Sequence, residues 1–229
     1  GNVQEVIYTQ IASDATRLAA LVSGEIDFIL DPAPRDLARL RNTAGVKVVD
    51  GLENRILFIG MDQGRDELLY GSVKGESPFK DVRVRRALYQ AVDIETIKTK
   101  LMNNQAFPTG AVVPSSKGSF NDPEIEKRLP YDVAEAKKLM ADAGYPRGFE
   151  VTLDCPNNRY INDEEICQAV TAMWAKIGLT ARLNAMPRAT YFPKIEKQDT
   201  SMYMLGWGGA ITDAETTFTP VLRNRGDKG

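Results

Sequence analysis

Apolar residues recur every three or four positions in several parts of the chain, which is the spacing of one face of a helix. In residues 81–92, Val84, Ala87 and Leu88 follow this spacing behind Asp81, a residue type that caps helix N-termini. The same pattern predicts further helices over residues 13–22, 35–41, 93–102, 132–143, 162–177, 189–197 and 214–222.

Polar residues and glycines mark where several of these helices should begin and end. Ser13 and Gly24 flank the first helix as cap and stop. Asp132, which is followed by an acid three residues later, resembles a capping box. Asn162 stands in the same relation to Glu165, and we expect it to start the helix that follows.

Short apolar runs rich in β-branched residues predict strands between the helices. They cover residues 3–9, 26–30, 46–49, 55–60, 149–154, 179–185 and 202–206. The glycine-rich, polar stretches at 61–77 and 104–123 are interpreted as loops. Alternating strands and helices indicate an α/β fold, arranged as two strand–helix runs that a loop-rich stretch separates.

The composition excludes several kinds of partner. The chain has 229 residues, 43% hydrophobic and 26% charged, and a net charge of −2, so no polybasic surface for nucleic acid is expected. No apolar run approaches the roughly 18 residues that a membrane span needs, and we expect no membrane insertion. No signal segment opens the chain, which is therefore expected to start after any such segment or inside a longer protein.

The absence of histidine restricts the chemistry further. It removes Ser-His and Cys-His nucleophiles, histidine acid–base catalysis and the usual zinc ligand sets, while carboxylate and lysine chemistry remain open. Cys155 and Cys167 have no metal-ligand spacing, and two free thiols are favoured over a disulfide. No nucleotide-binding glycine motif occurs. We therefore expect no metal and no cofactor.

Two predicted strand ends carry side chains that suit ligand binding, because ligands of α/β sheets lie beyond the carboxyl ends of strands. After the strand at 149–154, a turn that includes Asn158 presents Arg159 and Tyr160. An arginine there can grip a carboxylate with two hydrogen bonds. The alternative is a surface arginine that pairs with nearby Asp163 or Glu164.

The second strand end is the segment YMLGWGG, which ends the strand at 202–206. Trp207 offers a rigid apolar face, and Gly208 and Gly209 allow a backbone to approach closely. The alternative is that Trp207 fills the core. Asp213 is the first acid after the tryptophan, and we expect it to cap the next helix.

An enzymatic interpretation finds little support among the acids. Glu164 and Glu165 are adjacent on a predicted helix, so their side chains point in different directions and form a poor catalytic pair. A carboxylate-dependent hydrolase remains an alternative, and so does a peptide-binding chaperone or sensor module that works without a transporter.

Five segments in this order resemble the family 5 extracellular solute-binding proteins, the receptors of ABC importers for dipeptides, oligopeptides, glutathione and related solutes. The segments are TRLAALVSGEIDFIL, SPFKDVRVRRALYQAVD, AKKLMADAGYPRGFEVTL, YINDEEICQAVTAMWAKIGLTARL and YMLGWGG. The resemblance implies a type II periplasmic-binding-protein-like fold, with mixed sheets flanked by helices and an incomplete two-lobe architecture. Residues 1–52 would belong to the lobe that bears the termini. Residues 53–229 would form most of the second lobe, truncated before the return crossing.

The resemblance also implies a binding site and partners. Arg159 matches an arginine that holds a peptide carboxylate, and Trp207 with Gly208 and Gly209 would form cleft wall. The further ligand-binding candidates are Asn158, Tyr160 and Asp213. In dipeptide-binding members an aspartate stands three residues after the tryptophan, where this chain has Ala210. Asp213 matches a later acid, in a spacing closer to the glutathione-binding branch. The implied protein is a non-enzymatic, periplasmic or lipid-anchored extracellular receptor that meets ABC permease subunits.

Overall fold

A computed structural model describes residues 2–51, 53–113, 122–208 and 213–222 of the chain. The chain divides into two compact units, Gly1–Asp50 and Gly51–Gly229.

Unit 1 is built on two helices. Helix α1 (Asp14–Ser23) begins at Ser13, whose hydroxyl accepts a hydrogen bond from the Thr16 N–H at 3.3 Å. It ends at Gly24, which has a φ of 79°, a left-handed conformation that costs glycine little. A 3-10 turn at Pro34–Asp36 leads into α2 (Leu37–Arg41). The buried apolar residues of this unit are Leu18, Ala20, Ala33, Leu37 and Leu40.

The three strands predicted for unit 1 are wrong. Residues 3–9, 26–30 and 46–49 are irregular, and no described residue pairs with them. Many of their apolar side chains are exposed, and Tyr8 has 88% of its surface exposed. A strand needs a hydrogen-bonded neighbour for its backbone groups, and the described residues of the unit supply none.

Unit 2 alternates strands with helices, as the sequence predicts. The strands are β1 (Ile56–Met61), β2 (Glu150–Pro156), β3 (Thr180–Met186) and β4 (Met202–Trp207). The helices are α3 (Val82–Gln90), α4 (Ile94–Thr96), α5 (Pro123–Glu126), α6 (Val133–Asp142), α7 (Asp163–Ala175), α8 (Arg188–Glu196) and α9 (Glu215–Thr217). A 3-10 turn at Pro78–Lys80 precedes α3, and π-helical turns at Ile97–Leu101 and Phe218–Leu222 continue α4 and α9.

The four strands form one mixed sheet in the order β1-β4-β2-β3. Strand β2 runs parallel to both β3 and β4, whereas β1 is antiparallel to β4. The pairing of β2 with β4 is short, from Leu153↔Met202 to Asp154↔Tyr203. The two strands therefore separate toward their carboxyl ends.

The main core lies between one face of the sheet and helices α3, α6 and α7. Trp174 of α7 is only 1% exposed, and its indole N–H donates to the Leu88 carbonyl of α3 at 2.9 Å. Met173, the neighbouring residue on the same helix, is also buried.

The opposite face of the sheet carries α8 and a buried polar network. Residues alternate along β2, so that Leu153 joins the main core while Asp154 faces α8. The fully buried Asp154 carboxylate accepts from Asn184 Nδ2 and from Thr200 Oγ1, both at 2.7 Å, and lies 3.6 Å from Lys194 Nζ. This network fixes α8 over the sheet.

The two cysteines are joined, so the expectation of free thiols is wrong. Cys155 at the end of β2 and Cys167 within α7 form a disulfide that spans 12 positions of sequence. Helix α7 packs directly on β2 and brings the two Cα atoms to 6.7 Å, a proximity that spacing along the chain does not reveal.

Candidate ligand-binding site

The two candidate segments lie at the same edge of the sheet. Because β2 and β4 are parallel, the segments that follow them leave the sheet at the same edge. The antiparallel β1 begins there, since Ile56 is paired with Trp207. This edge, formed by the ends of β2 and β4 and the start of β1, is called the carboxyl edge below.

A buried carboxylate shapes the loop after β2. Asp163 accepts the backbone N–H of Arg159 at 2.8 Å and that of Tyr160 at 2.9 Å on one oxygen, and that of Glu164 at 3.0 Å on the other. Burial raises the pKa of Asp163, although the three N–H donors oppose the rise. Asn162 does not cap α7 as predicted, because its φ is 52° and its amide donates to the Leu101 carbonyl instead.

The Arg159 side chain is half-buried and does not pair with either acid considered above. It is the Arg159 backbone that contacts Asp163, while its guanidinium carbon lies 4.8 Å from the centre of the Tyr160 ring. Among the described residues, no carboxylate forms an ion pair with this guanidinium. The Tyr160 ring thus positions the Arg159 guanidinium, and no carboxylate among the described residues neutralises its charge.

Tyr160 connects the loop after β2 to β4. Its hydroxyl oxygen accepts the Gly206 N–H at 2.8 Å, and its O–H makes a longer contact of 3.4 Å to the Gly206 carbonyl. Strand β2 diverges from β4 after Asp154 and does not reach the backbone groups of Gly206. The Tyr160 hydroxyl forms hydrogen bonds with these groups instead. A Cβ atom at position 206 would lie 2.6 Å from the Tyr160 ring, so this close approach requires glycine.

Trp207 is half-buried at the end of β4 and is not part of the main core cluster. Its indole N–H donates to the Thr216 carbonyl at 2.9 Å, so the polar group of the side chain is already satisfied. Next to it, a Cβ atom on Gly208 would lie 2.1 Å from the Asn54 carbonyl oxygen. The glycine therefore accommodates the backbone before β1.

The remaining candidates have structural partners or lie outside the described residues. Asn158 accepts the Arg188 N–H at 2.7 Å and ties the loop to the start of α8. Asp213 accepts the Glu215 N–H at 2.8 Å at the start of α9, although Ala214 and not Asp213 is the residue directly before this helix. Gly209 falls outside the described residues.

Sequence reasoning missed Arg55, which precedes β1. Its guanidinium carbon lies 5.8 Å from the centre of the Tyr160 ring, and its Nε donates to Glu53 Oε1 at 2.5 Å. Only the antiparallel pairing of β1 with β4 places this arginine at the carboxyl edge, and the sequence alone gives no signal for that pairing.

The family model of the bacterial extracellular solute-binding proteins, family 5 middle, matches residues 1–229. The chain belongs to this family. The chain is similar to heme-binding protein A of Haemophilus influenzae, with 27% identity over 226 residues that make up 96% of this chain and 38% of the relative. The glutathione-binding protein GsiB of Salmonella typhimurium is 24% identical over 228 residues, 97% of this chain and 42% of GsiB. This family 5 chain thus spans about two fifths of the length of these relatives.

Solved structures share the fold of this family 5 chain. A dipeptide-binding protein from Pseudoalteromonas sp. SM9913, in complex with Met-Leu, aligns with a TM-score of 0.77 at 22% identity and covers 91% of this chain and 39% of that one. The binding protein AgaA from A. tumefaciens R10, in complex with agropinic acid, aligns with a TM-score of 0.72 at 27% identity over 95% of this chain and 41% of AgaA. The type II periplasmic-binding-protein-like fold expected from the sequence is confirmed.

The relatives of this family 5 chain are named as binding proteins rather than enzymes. Within the described residues, no helix is both long and apolar enough to cross a membrane. The same residues contain no cluster of three or more acidic, cysteine or histidine side chains placed to hold a metal ion.

Proposed function

We propose that the chain is part of the solute-binding receptor of an ABC importer and captures a peptide-like or other small carboxylate-bearing solute in a cleft between two lobes. The observation that carries this proposal is the Arg159 guanidinium at the carboxyl edge, packed over Tyr160 and paired with no carboxylate among the described residues.

The chemistry of such a site needs a cation that is held in place before the ligand arrives. A guanidinium binds a carboxylate through two parallel hydrogen bonds, and the Tyr160 ring reduces the freedom that Arg159 would lose on binding. The Trp207 ring and the backbone at Gly208 and Gly209 serve as cleft wall, with Asn158 and Asp213 supporting the two segments. Closure of the lobes would exclude water and strengthen the charged contact.

The names of the relatives agree with this substrate class. They include a protein in complex with the dipeptide Met-Leu, a glutathione-binding protein and a heme-binding protein. All of these solutes carry carboxylates. The segment 208–212 of this chain, GGAIT, contains no acid to meet a peptide amino group.

Membership of the family supports a proposal for the rest of the receptor. We propose that residues 1–52 belong to the lobe that bears the termini and residues 53–229 to the second lobe, and that permease subunits receive the solute from the closed receptor. The proposed location is the periplasm, or the outer cell surface with a lipid anchor. A disulfide between Cys155 and Cys167 agrees with an oxidising compartment.

A thermal-shift screen of the full-length polypeptide tests this function. Alanyl-alanine and glutathione serve as carboxylate probes, their fully amidated forms as matched probes that have no carboxylate, and glucose as an unrelated solute. A ligand that binds the folded state raises the unfolding midpoint, so we expect shifts with carboxylate probes and much smaller shifts with their amides.

The Arg159→Ala variant should lose the carboxylate-dependent shift. Arg188→Ala removes an exposed arginine next to the same loop and should keep the shift. The function is contradicted if Arg159→Ala keeps the shift, or if amides and carboxylates shift the protein equally. Mass spectrometry of the recovered probes should show them unaltered, and a hydrolysed probe would support the enzyme alternative.

A further inference from the structure

Two arginines from distant parts of unit 2 approach one aromatic ring at the carboxyl edge. The guanidinium carbons of Arg159 and Arg55 lie 4.8 and 5.8 Å from the centre of the Tyr160 ring. Arg159 arrives on the loop after β2, and Arg55 arrives at the start of β1. The fold therefore places two permanent positive charges where the sequence analysis predicted one.

Among the described residues, Arg55 pairs with one acid, Glu53, whereas Arg159 pairs with none. Glu53 contacts Arg55 through Nε alone, and 58% of the Glu53 side chain is exposed. Such surface pairs contribute little stability, so an incoming anion can replace the glutamate at small cost. The terminal amino groups of Arg55 have no acceptor among the described residues.

Other described acids close to these segments are already engaged. Asp163 is buried and accepts three backbone N–H groups, and Asp213 accepts the Glu215 N–H. The two positive charges around Tyr160 therefore repel each other, and within the described part of the chain Glu53 is the one acid paired with either of them. A ligand with two negative groups would relieve that repulsion, whereas a ligand with one would relieve half of it.

We propose that the solute carries two anionic groups, one bound by Arg159 and the second by Arg55. When the solute binds, its second anionic group replaces Glu53 as the partner of Arg55. This inference rests on the proposed function, because it assumes that the carboxyl edge is the solute site. It assigns Arg55 as a specificity-determining residue and narrows the substrate class to small dianionic solutes, such as peptides with an acidic side chain.

Calorimetric titration of the full-length polypeptide with alanyl-glutamate and alanyl-glutamine measures the second contact, because these probes differ in one carboxylate. We expect the natural sequence to bind alanyl-glutamate about tenfold more tightly or better. Arg55→Ala should remove that preference by weakening alanyl-glutamate binding and should leave alanyl-glutamine within about twofold.

Two further variants separate a binding role of Arg55 from a structural one. Glu53→Gln removes the competitor of the ligand and should strengthen alanyl-glutamate binding several-fold, an increase that general damage to the loop would not produce. Arg188→Ala removes one exposed positive charge next to the loop and should change neither affinity by more than about twofold, which controls for the overall field.

The results distinguish this inference from the proposed function. If the natural sequence shows no preference for alanyl-glutamate, or if Arg55→Ala weakens both probes equally, the dianionic class is overturned. The function itself survives that result as long as Arg159→Ala abolishes binding of both probes. If Arg159→Ala leaves both affinities unchanged, the carboxyl edge is not the site and both proposals fail.

Discussion

The same kind of apolar sequence pattern is associated with different secondary structure in unit 1 and in unit 2. Helices form in both units where apolar spacing and caps predict them, as α1 and α6 show. Strands predicted from apolar runs form in unit 2 only. A helix satisfies its backbone within one segment, whereas a strand depends on a neighbour that the pattern does not identify. The comparison shows that an apolar run predicts a strand only if the fold supplies a partner.

Hydrogen exchange gives the largest expected contrast between the units. In the 229-residue polypeptide, backbone amides of residues 3–9 should exchange nearly at the rate of an unfolded chain, while paired amides of β2 and β4 should be protected at least about a thousandfold. Mass spectrometry of peptic fragments or NMR measures both regions in one sample. Strong protection over residues 3–9 would reveal a pairing partner and remove the contrast.

Truncation of Trp174, the largest of the fully buried side chains among the described residues, should give the largest loss of stability. Trp174→Ala creates a cavity in unit 2 and removes the N–H donor to Leu88, at an expected cost of about 3–5 kcal/mol in the free energy of unfolding. Tyr8→Ala, at an exposed position of unit 1, should cost less than about 0.5 kcal/mol. Denaturant unfolding measures both, and equal costs would show that the Tyr8 segment is packed.

The polar network under α8 should contribute less than the core. Lys194→Met leaves the buried Asp154 carboxylate with Asn184 and Thr200 as donors, so we expect a loss of about 1–3 kcal/mol. The exposed Lys197→Met on the same stretch is the matched control and should be nearly neutral.

This contribution should depend on pH. Burial alone would lower the pKa of Lys194, but the carboxylates of Asp154 and Asp199 outweigh it and raise the pKa above the ordinary 10.5. A raised lysine pKa stabilises the fold fully below the unfolded value and ceases to do so as the pH rises through the folded value. The stability difference between the natural sequence and Lys194→Met should therefore be constant near pH 8 and shrink above pH 10.5. A constant difference up to pH 12 would contradict the pairing.

Helix caps provide the smallest and most symmetrical test. Ser13→Ala in unit 1 and Asp132→Ala in unit 2 each remove one side-chain acceptor of a backbone N–H, and each should destabilise its helix by about 1 kcal/mol. Exchange rates of the first-turn amides of α1 and α6 report this. Similar losses of helix stability in both units would show that the effect of a cap depends only on neighbouring residues. A loss in one unit alone would show that helix capping, like strand formation, differs between the units.

The sequence predicted the parts of the fold that depend on neighbouring residues. Asp81 and Asp132 cap α3 and α6 through hydrogen bonds to N–H groups two or three residues ahead, which a linear pattern can represent. The prediction failed at Asn162, because its backbone has a φ of 52° and its amide donates to the distant Leu101 carbonyl, a contact that a linear pattern does not represent.

The candidate site divides in the same way. Arg159 and Trp207 were recognisable as residues that follow strands, since the order of elements along the chain places them there. Arg55 was not recognisable, because its position depends on which strand pairs with β4 and in which direction. The disulfide from Cys155 to Cys167 was missed for a related reason, as it depends on how α7 packs on β2.

The close fit of Tyr160 against Gly206 has an evolutionary consequence. With no room for a Cβ atom beside the ring, the two positions constrain each other. Sequences that keep a tyrosine at position 160 should keep glycine at 206, and a larger residue at 206 should occur together with a smaller one at 160. Such paired substitutions across related receptors would show that this contact links the loop after β2 to β4 beyond the point where the two strands are hydrogen-bonded.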